Sequence, residues 1–156
     1  MEKQLMNIIY VACAVLVVRA VYKAFFAKPK KLDDYFKRAM YYEVYFQNKT
    51  VGIKVLKEAL EVEKLTKLQV ASVKLQLGIL YYKIKDYEEA VKYFNDIESY
   101  LKKEDYGYSK NLNAIILAYI NVGQKEKARK VYQEFLKRED EDFTFSRVRA
   151  LEKYIN

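Results

Sequence analysis

The 156-residue sequence contains no histidine and a single cysteine. Histidine is the commonest general base and the commonest metal ligand, so its absence removes both and excludes Ser–His and Cys–His nucleophile pairs. Because Cys13 has no second cysteine to pair with, an intramolecular disulfide cannot form, and its apolar surroundings suggest no reactive thiolate. These absences leave little chemistry for an active site, and we predict that the protein is not an enzyme.

Glycine and proline are also scarce, with four and one residues respectively. A fold with many strands needs these residues for its tight turns, so such a fold is disfavoured. No two glycines lie within six residues of each other, which excludes a glycine-rich phosphate-binding loop. Hydrophobic residues make up 52% and charged residues 32% of the chain, as in folded rather than disordered proteins. The composition therefore predicts an all-α fold.

Acidic side chains are the remaining candidates for acid–base chemistry or cation binding. They cluster at Asp86, Glu88 and Glu89 and again at residues 139–142. The second cluster lacks the alternating ligands and the glycine of a calcium loop, and helix capping or solvated turn charge explains both clusters better. We predict no catalytic residue, no metal site, no cofactor and no small-molecule substrate.

An apolar segment stands at the N-terminus. Residues 5–18 are apolar apart from Asn7, and the apolar pattern continues to residue 26, interrupted by Arg19 and Lys23. A helix over residues 5–26 would be ~33 Å long, enough to cross a hydrocarbon core of ~30 Å. A cleaved signal peptide and a docked or interfacial helix are the alternatives; basic residues follow the run where a signal peptide needs small ones. The sequence predicts a transmembrane anchor over residues 1–26, in contact with the bilayer through residues 5–26.

The net charge of +8 is concentrated beside this segment. Residues 1–31 hold six basic residues and one acidic residue, a net +5, whereas the other 125 residues hold 23 basic and 20 acidic residues, a net +3. This distribution favours a membrane rather than a nucleic acid as the partner of the positive charge. Basic residues predominate on the C-terminal side of the segment, so we predict a single-pass protein with its N-terminus outside and its folded domain on the cytoplasmic side.

Aromatic and basic residues near the end of the predicted span are expected at the membrane–water interface, where long basic side chains reach the headgroups. These residues are Arg19, Tyr22, Lys23, Phe25, Phe26, Lys28, Lys30 and Lys31. Because Pro29 ends the helix, residues 27–31 are predicted to form a short basic linker that keeps the following domain close to the membrane.

Residues 32–156 are predicted to form one domain of three helix pairs and a final amphipathic helix. The predicted helices cover residues 32–47, 50–63, 66–84, 86–102, 107–122, 124–138 and 144–155. Thr50 and Asp86 are predicted N-caps, and Gly123 is predicted to end a helix. In the last helix the predicted buried residues are Val148, Leu151 and Ile155, and the predicted exposed residues are Arg147, Arg149, Glu152 and Lys153.

The helix pairs repeat along the chain at a constant spacing. When the sequence is aligned with itself at the offset that matches Tyr81 with Tyr119, Ala90 matches Ala128. The same offset towards the N-terminus matches Ala90 with Gly52. Small residues thus recur where the second helix of each pair must approach the first. The first repeat is the weakest, because Glu43 falls at the position of Tyr81.

The best-formed unit runs from Leu77 to Phe94 and contains Gly78, Tyr81 and Ala90. It resembles a tetratricopeptide (TPR) repeat, and the resemblance extends over about residues 32–138. Tyr81 and Tyr119, which are one period apart, are separated by more than the roughly 34 residues usual in this family. The proline that commonly closes the family's repeat is also missing. The resemblance implies an α-α superhelix of about three TPR-like pairs with a C-terminal capping helix, preceded by one transmembrane helix. A generic stack of α-hairpins is the alternative.

In TPR proteins the first helix of each pair lines a concave groove that binds peptides. The resemblance implies that the groove residues are Lys37, Tyr41, Tyr45, Leu75, Gln76, Ile79, Tyr82, Lys83, Lys110, Asn113, Leu117 and Asn121. Lys37 and Lys110 fit the carboxylate clamp found in some members. A clamp is nevertheless not expected, because Tyr41, Gln76 and Ala114 replace its amides and arginine. Aromatic side chains beside lysines favour an amphipathic or acidic peptide, although simple packing also accounts for many of the sixteen tyrosines.

Anchor and repeats together predict a membrane-anchored protein-interaction module that binds a protein or peptide partner. Such a protein acts as a scaffold, either as an adaptor or as an accessory or assembly subunit of a membrane protein complex. The alternative is a receptor for incoming polypeptides at an organelle membrane, because the layout is similar to that of mitochondrial import receptors.

Overall fold

The computed structural model describes residues 2–101 and 107–155, and their side chains except those of residues 2, 3 and 23–25. The described parts are helical and contain no strand. The α-helices are α1 (Glu2–Phe25), α2 (Leu32–Val44), α3 (Lys49–Ala59), α4 (Lys67–Lys83), α5 (Tyr87–Asp96), α6 (Glu98–Leu101), α7 (Asn113–Asn121), α8 (Lys125–Lys137) and α9 (Glu152–Ile155). Short 3₁₀ segments cover Lys110–Leu112, Arg138–Asp140 and Phe143–Leu151. The predicted all-α fold is confirmed.

Helices pack in the predicted pairs. α2 packs against α3, α4 against α5 and α7 against α8, while α3 contacts α4 and α5 contacts α7, so that the pairs stack in chain order. The turns inside the pairs are short, and the turn of the first pair is longer by one residue than the other two. The buried side chains of all three pairs and of the C-terminal segment form one hydrophobic core.

Helix ends follow from local chemistry, with one correction. The carboxylate of Asp86 accepts a hydrogen bond of 3.2 Å from the N–H of Glu89, which confirms its prediction as the N-cap of α5. Gly123 adopts a φ of +78°, a conformation that glycine reaches without steric cost, and it follows α7 as predicted. Thr50 is not the N-cap of α3: the Asn48 side chain accepts from the N–H of Val51 at 3.1 Å, because α3 begins one residue earlier than predicted.

The helices of the first repeat are shorter than predicted. α2 ends at Val44 rather than at residue 47, and α3 ends at Ala59 rather than at residue 63. Gln47 has a φ of +50° and Lys64 a φ of +64°, so both lie in the left-handed region, where an α-helix cannot continue. The single helix predicted over residues 86–102 is interrupted, because α5 ends at Asp96 and a separate helix, α6, covers Glu98–Leu101. Residue 102 itself lies outside the described residues.

Close helix crossings occur where small residues were predicted. Ala90 and Ala128 are fully buried, and Gly78 lies directly against the ring of Phe94. In the first pair a side chain at Gly52 would lie 3.2 Å from the backbone oxygen of Ala39. These contacts confirm that the second helix of each pair approaches the first closely.

The C-terminal segment closes the stack. Val148, Leu151 and Ile155 are buried against the last repeat as predicted, together with Phe145. The predicted exposed residues Arg147, Arg149, Glu152 and Lys153 are exposed. The predicted single α-helix is wrong in type, because residues Phe143–Leu151 form a 3₁₀ segment and only Glu152–Ile155 form an α-helix.

Tyr119 gives the core a measurable pH dependence. Its side chain is 1% exposed, and its hydroxyl donates a hydrogen bond of 2.8 Å to Oδ1 of Asn95. Burial, reinforced by the negative charge of Glu98, raises the pKa of Tyr119 to about 12. The unfolded chain, with a tyrosine pKa of ~10, loses this proton first. The stabilisation is therefore complete below pH ~10 and is lost as the pH rises towards ~12.

We expect wild-type protein to lose about 1 kcal/mol more than Tyr119→Phe in its free energy of unfolding between pH ~9 and pH ~11. The measurement is urea unfolding of the full chain in mild detergent, followed by circular dichroism. Tyr45→Phe is the control, because this side chain is 72% exposed. Its free energy of unfolding should decrease by the same amount as that of wild type. Equal losses in wild type and Tyr119→Phe would contradict the assignment.

Candidate functional site

The predicted groove is bordered by α4 and α7, the first helices of the second and third pairs, which contact each other. Gln76, Tyr82 and Leu117 are partly exposed, whereas Lys83 and Asn121 are exposed. These five side chains are therefore accessible to a binding partner.

Ile79 requires a correction. It was predicted to line the groove, but its side chain is only 2% exposed and belongs to the core. The resemblance to TPR repeats places it on the groove side of α4, but the packing of this chain covers the position, which the sequence of one helix cannot reveal.

Tyr82 forms an aromatic pair with Tyr87 at the C-terminal end of α4. Its ring lies 5.6 Å from that of Tyr87 at the start of α5. Burial raises the pKa of Tyr82, and the nearby Tyr87 and Tyr154 act in the same direction. Tyr154 belongs to α9, is 48% exposed, and is near enough to Tyr82 to act on its pKa. The sequence did not single out Tyr154, because nothing local relates the last helix to α4.

Several polar groove residues have partners within the chain. Nζ of Lys83 lies 2.6 Å from Oε1 of Glu43, which links α4 to α2. Oδ1 of Asn113 accepts a hydrogen bond of 3.0 Å from the hydroxyl of Tyr108. The amide of Asn121 donates to the backbone oxygen of Leu117 at 2.7 Å. Lys110 is exposed in the 3₁₀ segment before α7. The groove is thus less positive than a count of lysines implies, because Glu43 neutralises Lys83.

Residues of α2 lie one position away from their predicted register. Ala39 is 4% exposed and faces Gly52, whereas Met40 is 49% exposed, so Ala39 occupies the place that Gly78 has in the second pair. Tyr42, rather than Glu43, then corresponds to Tyr81, and Tyr42 packs against the core. The predicted groove residues Lys37, Tyr41 and Tyr45 are therefore found away from the buried face of α2.

α1 is apolar and exposed. The stretch Gln4–Tyr22 is long and apolar enough to cross a membrane, and none of it is buried against the rest of the protein. A membrane anchor and a signal sequence both have these properties. Near its end the rings of Tyr22 and Phe26 stack with centroids 6.0 Å apart.

Other predicted interface residues are exposed around this end of α1. Arg19, Lys28, Lys30 and Lys31 all present their side chains to solvent. The side chains of Lys23 and Phe25 lie outside the described ones. The described members of the predicted interface set are therefore exposed both before and after the end of α1.

The described residues offer no obvious metal centre. No group of three His, Cys, Asp or Glu residues among them is arranged to hold a metal ion. A surface depression of about 360 Å³ lies between α6 and α8, next to Tyr119, and includes none of the predicted groove residues. It is lined by side chains of both charges, among them Glu126 and Lys130.

Comparison with known families agrees with the geometry. Residues 72–100 match the family model of the tetratricopeptide repeat, a range that takes in most of α4 and all of α5. Comparisons with curated proteins and with solved structures gave no match. Repeats of this type are modules for protein–protein interaction, and their stacks present extended concave surfaces. The protein is thus TPR-like and all-helical, with one long apolar helix at its N-terminus.

Proposed function

We propose that the protein is a membrane-anchored protein-interaction module, in which α1 spans a bilayer and the repeat domain binds a polypeptide through its groove. The observation that carries this proposal is the chain order: an apolar helix that buries none of its surface is followed, after six residues, by TPR-like helix pairs. A helix this apolar needs a hydrocarbon environment or a partner. The module then acts as an adaptor or as an accessory or assembly subunit of a membrane protein complex.

Tyr82, Tyr87 and Tyr154 are the proposed anchor points for the partner. Tyrosine combines a large apolar ring with a hydroxyl and loses little conformational freedom on binding, so tyrosines often dominate the energetics of interfaces. Exposed Ile84 and Lys85 lie between Tyr82 and Tyr87 in the sequence. An amphipathic peptide with an acidic residue suits this combination.

Charge supports one orientation of the proposed anchor. Lys28, Lys30 and Lys31 are exposed on the C-terminal side of α1, and they outnumber the basic residues at its N-terminal end. Basic residues are retained on the cytoplasmic side of membranes. We therefore place residues 32–156 on the cytoplasmic side and the N-terminus outside.

Site-specific photo-crosslinking in native membranes tests the groove. A benzophenone amino acid at Tyr82, or at the exposed Asn121, is expected to crosslink the same partner. The same residue at Gln133, an exposed position on α8, is the matched control and should give no such adduct. Adducts of equal yield from all three positions, or none from the groove, would reject the groove as the binding surface.

The partner's properties separate the versions of the proposal. A partner that alkaline carbonate releases from the membrane indicates an adaptor, whereas a partner that stays embedded indicates an accessory subunit. Competition of the adduct by presequence peptides would instead support a receptor for incoming polypeptides. A partner from the external compartment would reverse the proposed orientation.

A further inference from the structure

The outer face of α2 (Lys37, Met40, Tyr41, Val44 and Tyr45) is a stripe of apolar, aromatic and basic side chains. It lies away from Tyr35 and Ala39, the buried residues of this helix. Met40 is 49%, Val44 58% and Tyr45 72% exposed, although each is large and apolar or aromatic. The rings of Tyr41 and Tyr45 contact each other at 5.8 Å along the stripe.

α2 is held next to the end of α1. The guanidinium of Arg38 donates a hydrogen bond to the backbone oxygen of Ala27, two residues after α1 ends. The carboxylate of Asp34 accepts from the N–H groups of Lys30 and Lys31 at 3.1 and 3.2 Å, which fixes the turn into α2. Arg38 lies in the second turn of α2, so the middle of this helix, and not only its first residue, is beside the end of α1.

Net charge of the region is positive. Between residues 27 and 45 there are five basic residues (Lys28, Lys30, Lys31, Lys37 and Arg38) and three acidic residues (Asp33, Asp34 and Glu43). Two of the acidic side chains are engaged, Asp34 with backbone N–H groups and Glu43 with Lys83. Anionic headgroups attract such basic segments over about a Debye length.

We propose that the outer face of α2 lies on the anionic headgroup layer of the same bilayer that α1 spans. Tyr41 and Tyr45 sit at the interface, Met40 and Val44 enter the boundary of the acyl chains, and Lys37 contacts lipid phosphate. The proposal rests on the proposed anchoring of α1. It takes Lys37, Tyr41 and Tyr45 out of the peptide groove and leaves that groove to α4, α7 and α9.

A lipid surface is favoured over a protein partner because of the short tether. The six residues between α1 and α2 span at most ~20 Å even when fully extended, and the Arg38 contact holds α2 closer still. A bilayer that contains α1 is therefore always within reach of this face, whereas a soluble partner must be recruited. Amphipathic helices with lysines and aromatic residues bind at this depth of a bilayer.

The native Cys13 allows anchoring and docking to be tested separately. Full-length protein is reconstituted into phosphatidylcholine vesicles with and without phosphatidylserine, and an environment-sensitive fluorophore is attached to one cysteine at a time. Cys13 reports on α1. In a Cys13→Ser background, Val44→Cys reports on the outer face and Gln133→Cys is the matched control on α8. Positions 44 and 133 are both exposed, so neither substitution disturbs the core.

Nitroxide lipids provide the readout. We expect acyl-chain nitroxides to quench the label at Cys13, and headgroup-level nitroxides to quench position 44 severalfold more strongly than position 133. Phosphatidylserine should increase quenching at position 44, and high salt should reduce that increase.

Other results are equally informative. Quenching at Cys13 but not at position 44 overturns the docking of α2 and leaves the anchor intact. A blue-shifted but unquenched label at position 44 shows that a protein surface, such as a second copy of the chain, covers this face, and it also overturns the proposal. An unquenched Cys13 label overturns the anchoring and the docking together.

Discussion

Phe145→Ala is expected to lower the free energy of unfolding by about 3–5 kcal/mol, the usual cost of deleting a buried aromatic side chain. Phe145 is fully buried, and its ring lies 5.5 Å from that of Tyr108 and 5.8 Å from that of Phe135. The guanidinium of Arg138 stacks on it, with its carbon 4.4 Å from the ring centre. The substitution removes all three contacts and leaves a cavity between α8 and the C-terminal segment.

Phe143 provides a control two residues away in the same 3₁₀ segment. Its side chain is 79% exposed, so Phe143→Ala should change stability by less than ~0.5 kcal/mol. Urea unfolding of the full chain in mild detergent, followed by circular dichroism, measures both variants. If Phe145→Ala no longer folds, Phe145→Leu gives a smaller and measurable loss. Equal effects of Phe143→Ala and Phe145→Ala would show that the segment does not cap the stack as described.

The importance of Phe145 was not predicted from the sequence, for a geometric reason. An α-helix over residues 144–155 predicts burial of Val148, Leu151 and Ile155, and these three are buried. Phe145, Val148 and Leu151 follow one another at intervals of three, and a 3₁₀ helix with three residues per turn places all three on one side. Apolar spacing alone does not distinguish the two helix types over so short a segment.

The register of α2 illustrates a second limit of prediction from the sequence. The repeat was aligned through the second helices, where Gly52, Ala90 and Ala128 are evenly spaced. Ala39 and Gly78, the equivalent residues of the first helices, are separated by one residue more than Gly52 and Ala90, because the first pair has a turn longer by one residue. A single fixed period cannot describe both helices of a pair when turn length differs.

The groove depends on contacts between residues far apart in the sequence. Glu43 and Lys83, which form an ion pair, come from different helix pairs. The resemblance to TPR repeats implied that Tyr82 and Lys83 line the groove, but it carries no information on which neighbours cover or neutralise them. Burial of Ile79 and neutralisation of Lys83 therefore required the structure, whereas caps such as Asp86, which act within one turn, were predictable.

Gly78→Ala is expected to destabilise the protein by about 2 kcal/mol, although alanine is the better helix former. A Cβ atom at Gly78 would lie 2.7 Å from Cδ1 and 2.9 Å from Cζ of Phe94, and closer still to Cε1. Phe94 is fully buried, so its ring has no free space to enter. Overpacking of this kind costs about 1–3 kcal/mol and occasionally more. Without the clash, the same substitution inside a helix would stabilise by up to ~1 kcal/mol.

The sign of the Gly78→Ala effect therefore tests the helix crossing, and a double mutant identifies its cause. Phe94→Leu alone should destabilise by leaving a cavity, but in combination with Gly78→Ala it makes room for the new methyl group. We expect the double mutant to be more stable than the sum of the single effects predicts, by at least ~1 kcal/mol. Gly107→Ala is the control, since its nearest contact would be an ordinary 3.6 Å to Asp142. Stabilisation by Gly78→Ala, or strict additivity with Phe94→Leu, would contradict the close packing of α4 on α5, because residues in direct contact are expected to show coupled effects.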